Sequence, residues 1–208
     1  MARIEKGGLG IMKGKIFNAQ EVQSILNGSK VMLREVIKPQ PIQLEGFSDV
    51  YFDCYSKGNP WNWYIKGNKQ PLGTIAKCPY QVGQKIFCKE KFSVTWGEGY
   101  VWYWADDGRV EVGDWKKPQP AQHMKQEHSR ISLLIKEIKV ERLAEISEED
   151  AIAEGFKNTF VGFQHPVYNP GRTANQDFEI FWNATHKKPK EKFKASPFVW
   201  VISFEVMK

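Results

Sequence analysis

Residues 28–38 read GSKVMLREVIK, and this short stretch decides how the first part of the chain folds. Gly28 follows a segment with a helical pattern and suits the left-handed position just past a helix end. The run from Lys30 to Ile37 otherwise has the composition of a β-strand. Alternation along a strand places Lys30, Met32 and Arg34 on one face. These cations are either ordinary solvated charges at a sheet edge or groups directed at an acidic or polar ligand.

The segment before Gly28 carries the signals of a helix start. Asn18 is a favourable cap, and Glu21 stands three residues later in the capping-box position. Apolar residues then follow at helical spacing on one face, namely Val22, Ile25 and Leu26. A short strand near residues 13–18 is expected to precede this helix.

The rest of the chain predicts more strands than helices. A turn starting at Gly83 and then a strand are expected within 82–94. Further strands are expected at 129–143 and at 197–206, and a hairpin at 100–112 turns at Asp107 and Gly108. Helices are expected at 146–156, capped by Ser147 and stopped by Gly155, and at 175–186. Residues 42–80 and 96–128 interrupt this order as two long insertions. The pattern predicts an α+β fold, mainly β, in which a small, partly open β-barrel has helices packed at its ends.

Composition limits the classes of function. The 208 residues carry a formal net charge of +6 and a pI of about 9.1, which fits an anionic partner such as nucleic acid. Three cysteines and four histidines show no metal-ligand spacing, so neither a metal nor another cofactor is expected. No apolar run approaches about 20 residues, so no membrane partner is expected. Residues 1–11 are interpreted as a flexible leader without a signal core, and 12–208 as a single cytoplasmic domain. The oligomeric state stays open.

Four ordered blocks of the sequence resemble the ASCH domains that bacteriophages and prophages often carry. The blocks are FNAQEVQSILNGSKVMLREVIKPQP, VGQKIFCKEKF, SRISLLIKEIKVERLAEISEEDAIAEGF and PFVWVISFEV, which cover about half the chain. ASCH domains belong to the PUA-like group of small β-barrels. The resemblance implies recognition of RNA or of a modified nucleoside.

Some ASCH proteins are similar to a bacterial amidohydrolase that removes the acetyl group from N4-acetylcytidine. This resemblance places that enzyme's lysine base on Lys30 and its glutamate proton donor on Glu154. The position of its threonine nucleophile holds Leu33, and the position of its usual arginine holds Glu35. Arg34 matches the first of two paired arginines in phage relatives. Because leucine has no oxygen, a covalent route lacks its nucleophile, and a water-mediated route through Lys30 and Glu154 stays open.

Four further residues are candidates for ligand binding. Arg34 is a bidentate donor suited to a phosphate or a base carbonyl. Glu90, in a block where relatives have Arg-Glu-Thr, is either a buried partner of Lys30 or Arg34 or part of a surface salt bridge. Ser129 and Arg130 open a strand and either contact a phosphate or form a surface pair.

These residues support three hypotheses about function. The first is a binding module for RNA or a modified nucleoside, with its ligand between the first helix, the strand from Lys30 and the helix ending at Glu154. The second is an amidohydrolase acting on N4-acylated cytidines. The third is a phage-encoded protein that acts on a host factor. Four tryptophans either stack on bases or, as is more common, bury against the barrel, namely Trp61, Trp63, Trp102 and Trp104.

Overall fold

The structure is a computed structural model that describes residues 12–40, 50–53, 61–65, 75–96, 100–106, 116–156 and 172–207. This part of the chain has a mixed α+β fold that is mainly sheet, with ten strands and three α-helices. The predicted α+β class is therefore confirmed. The sheets are open in the described residues, so closure into a barrel stays a prediction.

The elements follow the predicted order. The strands are β1 (Lys13–Ile16), β2 (Met32–Val36), β3 (Val50–Asp53), β4 (Trp61–Ile65), β5 (Ile75–Ala76), β6 (Lys85–Lys89), β7 (Phe92–Val94), β8 (Val101–Tyr103), β9 (Ser132–Arg142) and β10 (Phe198–Met207). The helices are α1 (Ala19–Leu26), α2 (Glu148–Ala153) and α3 (Ala174–Thr185). The chain divides into two compact units, one within 1–28, 85–134 and 205–208 and the other within 29–84 and 135–204.

The first unit contains α1 and a sheet in which β1 is parallel to β6 and β6 is antiparallel to the start of β9. The predicted cap of α1 is present, because the Asn18 side chain accepts from the Glu21 N–H at 2.9 Å and Glu21 accepts from the Asn18 N–H at 3.0 Å. Gly28 has a φ of 77°, as its predicted left-handed position requires. Leu26, predicted to share the buried face of the helix, is instead exposed.

Two predictions about strands in the first unit need correction, and a third lies outside the described residues. The single strand predicted at 82–94 is divided into β6 and β7 around Glu90 and Lys91. The predicted hairpin turn at Asp107 and Gly108 lies outside the described residues, and β8 pairs in antiparallel fashion with β7. The long strand predicted at 129–143 begins later, at Ser132.

The second unit has a sheet in which β10 lies between the rest of β9 and β2. β10 is antiparallel to β2, and Val201 lies opposite Arg34. The predicted insertion at 42–80 contains the antiparallel strands β3, β4 and β5. The side chains of Trp61 and Trp63 in this insertion lie outside the described part.

Helices α2 and α3 cover the core of the second unit. The Ser147 side chain caps α2 as predicted, accepting from the Asp150 N–H at 3.0 Å. Thr173 and Gln176 form a complete capping box on α3 that the sequence interpretation did not include. The rings of Phe156 and Phe178 pack edge to face at 5.6 Å within a cluster that also includes Val201. This core fixes the end of α2 close to β2.

None of the helices in the described residues has the length and apolar character needed to cross a membrane.

Candidate functional site

The backbone at Lys30 lies between the end of α2 and β10. Lys30 forms an isolated antiparallel bridge with Glu154, and the Val31 N–H donates to the Ala153 carbonyl at 2.8 Å. The Val31 carbonyl accepts from the Phe204 N–H at 2.9 Å. The sequence predicted that Lys30 belongs to the strand, but the structure places it just before β2. Backbone hydrogen bonds on both sides of Lys30 position its side chain.

Glu154 is held by the way α2 ends. Gly155 has a φ of 94°, and its N–H donates to the Ile152 carbonyl at 2.9 Å. The Phe156 N–H donates to the Ala151 carbonyl at 3.1 Å, which completes a Schellman motif. Phe156 is buried in the core, so the position of Glu154 is set by a glycine turn and an aromatic anchor.

Lys30 and Glu154 form a buried ion pair. The Lys30 ammonium donates to Glu154 Oε2 at 2.8 Å and to the Glu154 carbonyl at 3.1 Å. Lys30 is only 2% exposed, and Glu154 is also buried. The two residues that the resemblance assigned to one site are therefore in contact, although they are 124 positions apart in the chain.

Arg34 extends this pair into a larger cluster. Its Nη1 donates to Glu154 Oε1 at 3.2 Å, and its Nη2 donates to Glu141 Oε2 at 3.2 Å and to Asp150 Oδ2 at 2.5 Å. We call Lys30, Arg34, Glu141, Asp150 and Glu154 the Lys30 cluster. Two cations and three carboxylates give it a formal net charge of −1. The Asp150 and Glu141 side chains are each 29% exposed, so they mark its solvent-facing side.

Sequence interpretation missed Glu141 and Asp150. Asp150 lies in the predicted helix at 146–156 and Glu141 in the predicted strand at 129–143, and neither was a candidate site residue. Asp150 and Glu154 are four residues apart in the predicted helix, a spacing that places their side chains on one face. This spacing was the sequence signal from which Asp150 could have been found.

Most donors of Arg34 are engaged by the carboxylates of the Lys30 cluster. Its guanidinium also lies 6.0 Å from the centroid of the Phe178 ring. Its Nε is buried and has no hydrogen-bond partner within the described ranges. An anionic phosphate would have to compete with three carboxylates for this arginine, whereas an uncharged polar group would not be repelled by them. The cluster is therefore better suited to an uncharged polar group than to a phosphate.

The neighbouring strand positions face away from Arg34. Strand alternation places Leu33 and Glu35 on the opposite face of β2, where Leu33 is buried. The Tyr80 hydroxyl donates to Glu35 at 3.0 Å. Burial, together with the charge of Glu35 and this hydrogen bond, raises the pKa of Tyr80. Position 33 thus offers neither an oxygen nor the orientation that a nucleophile near Arg34 would need.

The other predicted ligand residues lie in the first unit. Arg130 binds Glu90 through two hydrogen bonds of 3.0 and 3.1 Å, and binds Asp106 through two of 2.8 and 3.0 Å. Its guanidinium lies 4.1 Å from the centroid of the Tyr103 ring. Glu90 is buried, and burial raises its pKa while the hydrogen bond from Arg130 opposes this rise. The partner that the structure gives Glu90 is Arg130, and the pair is not a simple surface salt bridge. We call Glu90, Asp106 and Arg130 the Arg130 cluster.

Ser129 has a local structural contact. Its hydroxyl is 2.7 Å from the Cys88 carbonyl and 3.1 Å from the Ile131 carbonyl. These contacts tie the chain entering β9 to the end of β6. A role for Ser129 or Arg130 in contacting a phosphate stays a prediction.

The described residues contain no group of three side chains that could hold a metal ion. None of the family models, curated proteins and solved structures compared with this chain matches it. The resemblance to ASCH domains therefore still depends on the sequence blocks alone.

Proposed function

We propose that this protein is a binding module for RNA or a modified nucleoside, and that Lys30 and Glu154 recognise the polar edge of a base. The observation that carries the proposal is the buried ammonium of Lys30, 2.8 Å from a carboxylate oxygen whose partner oxygen is bound by Arg34.

Stability alone gives little reason for such a cluster. Removing two cations and a carboxylate from water costs several kcal/mol per ion, by order of magnitude, and apolar residues of similar volume often serve a fold as well or better. Buried charged groups in a fixed arrangement occur preferentially at functional sites. We therefore interpret the Lys30 cluster as a recognition site.

The chemistry of the cluster fits a cytosine-type base. Such a base combines an exocyclic amine, which donates, with a ring nitrogen and a carbonyl, which accept. Glu154 supplies an acceptor, while Lys30 supplies donors. The formal charge of −1 favours the base over the phosphate. Attraction for the phosphates of a longer RNA would come from the net charge of +6 and from the lysines within 187–194.

The proposal includes a PUA-like barrel of the ASCH type. Its support is the sequence resemblance, together with an element order that matches the predicted one. Such a barrel would explain why the segment after α1 contacts the end of α2, because the sequence blocks that resemble ASCH domains contain both segments.

The contact between Lys30 and Glu154 also favours a second function, hydrolysis of an N4-acylated cytidine. Water would attack the acyl carbonyl, the bond from carbon to N4 would break, and a carboxylic acid and the free amine would leave. For this step the Lys30 ammonium would first pass a proton to Glu154; the neutral amine of Lys30 would then take the proton of the water, and the carboxylic acid of Glu154 would protonate N4. Since position 33 holds leucine, the water-mediated route is the form that this sequence allows.

Calorimetric titration of the full chain with cytidine and with N4-acetylcytidine tests the binding function. Lys30→Met should weaken binding by about tenfold or more, because methionine has nearly the length of lysine but lacks its charged hydrogen-bond donor. Lys38→Met is the matched control, since Lys38 is an exposed lysine of the second unit paired with Glu191. It should leave the affinity unchanged. Absence of binding by the natural chain, or equal affinity of both variants, would refute the proposal.

Chromatography of the same N4-acetylcytidine mixtures separates the two functions. Release of cytidine that depends on Lys30 and Glu154 supports hydrolysis, whereas binding without release supports the binding module alone.

A further inference from the structure

Three aromatic residues occupy alternate positions along and beside β8. Trp102 lies opposite Ser93 in the register with β7. The Thr95 N–H donates to the Tyr100 carbonyl at 3.0 Å, and the Trp104 N–H donates to the Lys91 carbonyl at 3.0 Å. Because side chains two residues apart share a face of a strand, Tyr100, Trp102 and Trp104 lie in a row, spaced by about 7 Å. We call these three residues the aromatic row.

Part of this surface is open to solvent. Tyr100, in the row, is 64% exposed. Trp96 is not part of the row but follows Thr95, which pairs with Tyr100, and is 67% exposed. Trp102 and Trp104 are half-buried. Apolar rings of this size are seldom left so exposed at neighbouring positions without a partner.

One ring of the row, that of Trp104, is held in place by a hydrogen bond. Trp104 Nε1 donates to the hydroxyl of buried Ser93 at 3.1 Å. The Tyr100 N–H donates to Thr95 Oγ1 at 3.0 Å, which ties the backbone of Tyr100 to the end of β7. A ring fixed in this way loses little conformational entropy when a ligand stacks on it.

Lysines lie beside the same rings. The Lys91 ammonium is 4.0 Å from the centroid of the Trp104 ring, and the Lys116 ammonium is 4.9 Å from that of Trp96. The Lys116 N–H donates to the Val94 carbonyl at 2.8 Å, so this lysine is anchored next to β7. Exposed aromatic rings and positive charge therefore lie close together in this part of the first unit.

We propose that the aromatic row, with Trp96, Lys91 and Lys116, binds single-stranded nucleic acid by stacking on its bases. Stacking accepts any base, and the lysines would meet the phosphates. An acidic peptide would need the lysines but not the rings, so the exposed rings favour a nucleic acid. The inference takes its ligand class from the proposed function, but it uses residues of the first unit and none of the Lys30 cluster.

Fluorescence anisotropy with a labelled eight-nucleotide RNA tests this surface. Tyr100→Ala and Trp96→Ala should each weaken binding by about tenfold, because each removes a stacking partner. Tyr100→Phe and Trp96→Phe should stay within about threefold of the natural chain, since a stacking ring remains. Ile180→Ala is the control, because Ile180 is an exposed apolar residue on α3 of the second unit, and it should change nothing.

Charge is tested through the dependence of binding on salt. Lys116→Gln should lower the slope of log affinity against log salt by about 0.7, the value for one phosphate contact on a single strand. An unlabelled polyglutamate peptide should fail to displace the RNA.

The inference is overturned if the natural chain does not bind the RNA, if the alanine variants bind like the natural chain, or if polyglutamate competes fully. Failure here is separable from failure of the nucleoside site. Cytidine titration reports on the Lys30 cluster, and Trp96→Ala should leave that titration unchanged.

Discussion

The Lys30 cluster and the Arg130 cluster each contain one more carboxylate than cations, yet they are built differently. In the Arg130 cluster a single guanidinium, 22% exposed, holds both carboxylates and lies against Tyr103. In the Lys30 cluster two cations share one buried carboxylate, that of Glu154. Each oxygen of Glu154 is bound by a different cation.

The difference shows which cluster depends on one residue. Arg130 is satisfied by either carboxylate and remains partly hydrated, so losing one partner leaves a tolerable arrangement. Loss of Glu154 would leave Lys30 without its carboxylate partner in a site that is almost sealed from water. A buried charge without its partner is far more costly than a surface one.

Removing the shared carboxylate is expected to have the largest effect. Glu154→Gln should lower the free energy of unfolding by about 3–5 kcal/mol, the usual cost of breaking a buried ion pair. Glu90→Gln should cost less, because Arg130 keeps Asp106 and its access to water. Urea denaturation of both variants measures the two losses, and equal losses would contradict the contrast between the clusters.

Lys30→Met gives a second measure of the same cluster. Its loss of stability should be smaller than that of Glu154→Gln, because Arg34 Nη1 still binds Glu154 Oε1. A larger loss for Lys30→Met would show that Lys30, and not Glu154, organises the site.

Replacing Gly155, the glycine that ends α2, is expected to have the next largest effect on stability. Gly155→Ala places a side chain at a φ of 94° and should cost about 1–2 kcal/mol. Gly28→Ala is a matched control, because Gly28 has a φ of 77° and an added Cβ would meet no atom within 4 Å. Both variants should lose similar stability in thermal melts. Only Gly155→Ala should weaken cytidine binding, and equal binding by the two variants would show that the turn does not position Glu154.

The smallest effect concerns pH and Glu90. Burial raises the pKa of Glu90 above its ordinary value of 4.5, so the folded protein binds this proton more tightly than the unfolded chain does. The contribution of Glu90 to stability should therefore decline as pH rises from about 4.5 through its raised pKa.

Glu90→Gln isolates that contribution. The free energy of unfolding of the natural chain, minus that of the variant, should fall with rising pH across this window. Denaturation curves collected at several pH values give this difference, and a difference that rises with pH would mean that Arg130 outweighs burial.

The local parts of the fold could be predicted from sequence because their signals are local. Asn18 with Glu21, Ser147, and the glycines at 28 and 155 each mark a helix end through the chemistry of nearby backbone groups. Those marks placed Lys30 and Glu154 at the ends of elements. Only the family resemblance indicated that Lys30 and Glu154 belong to the same site.

The rest of the cluster could not be predicted because it depends on contacts between distant positions. Arg34 meets Glu141 and Asp150 across 107 and 116 positions, and no pattern in either segment specifies that approach. The same reason explains the partner of Glu90, which lies 40 positions away at Arg130. Sequence patterns predicted the elements that carry these residues, while tertiary contacts between the elements decided their partners.

Nitrogen-15 NMR of the Lys30 ammonium during a cytidine titration tests the recognition site most directly, with Lys30→Met used to assign the signal. A protected ammonium held by Glu154 should give a resolved signal in the free protein, and that signal should shift in proportion to bound nucleoside. A signal that does not move while cytidine saturates the protein would place the nucleoside elsewhere and contradict the account of the Lys30 cluster.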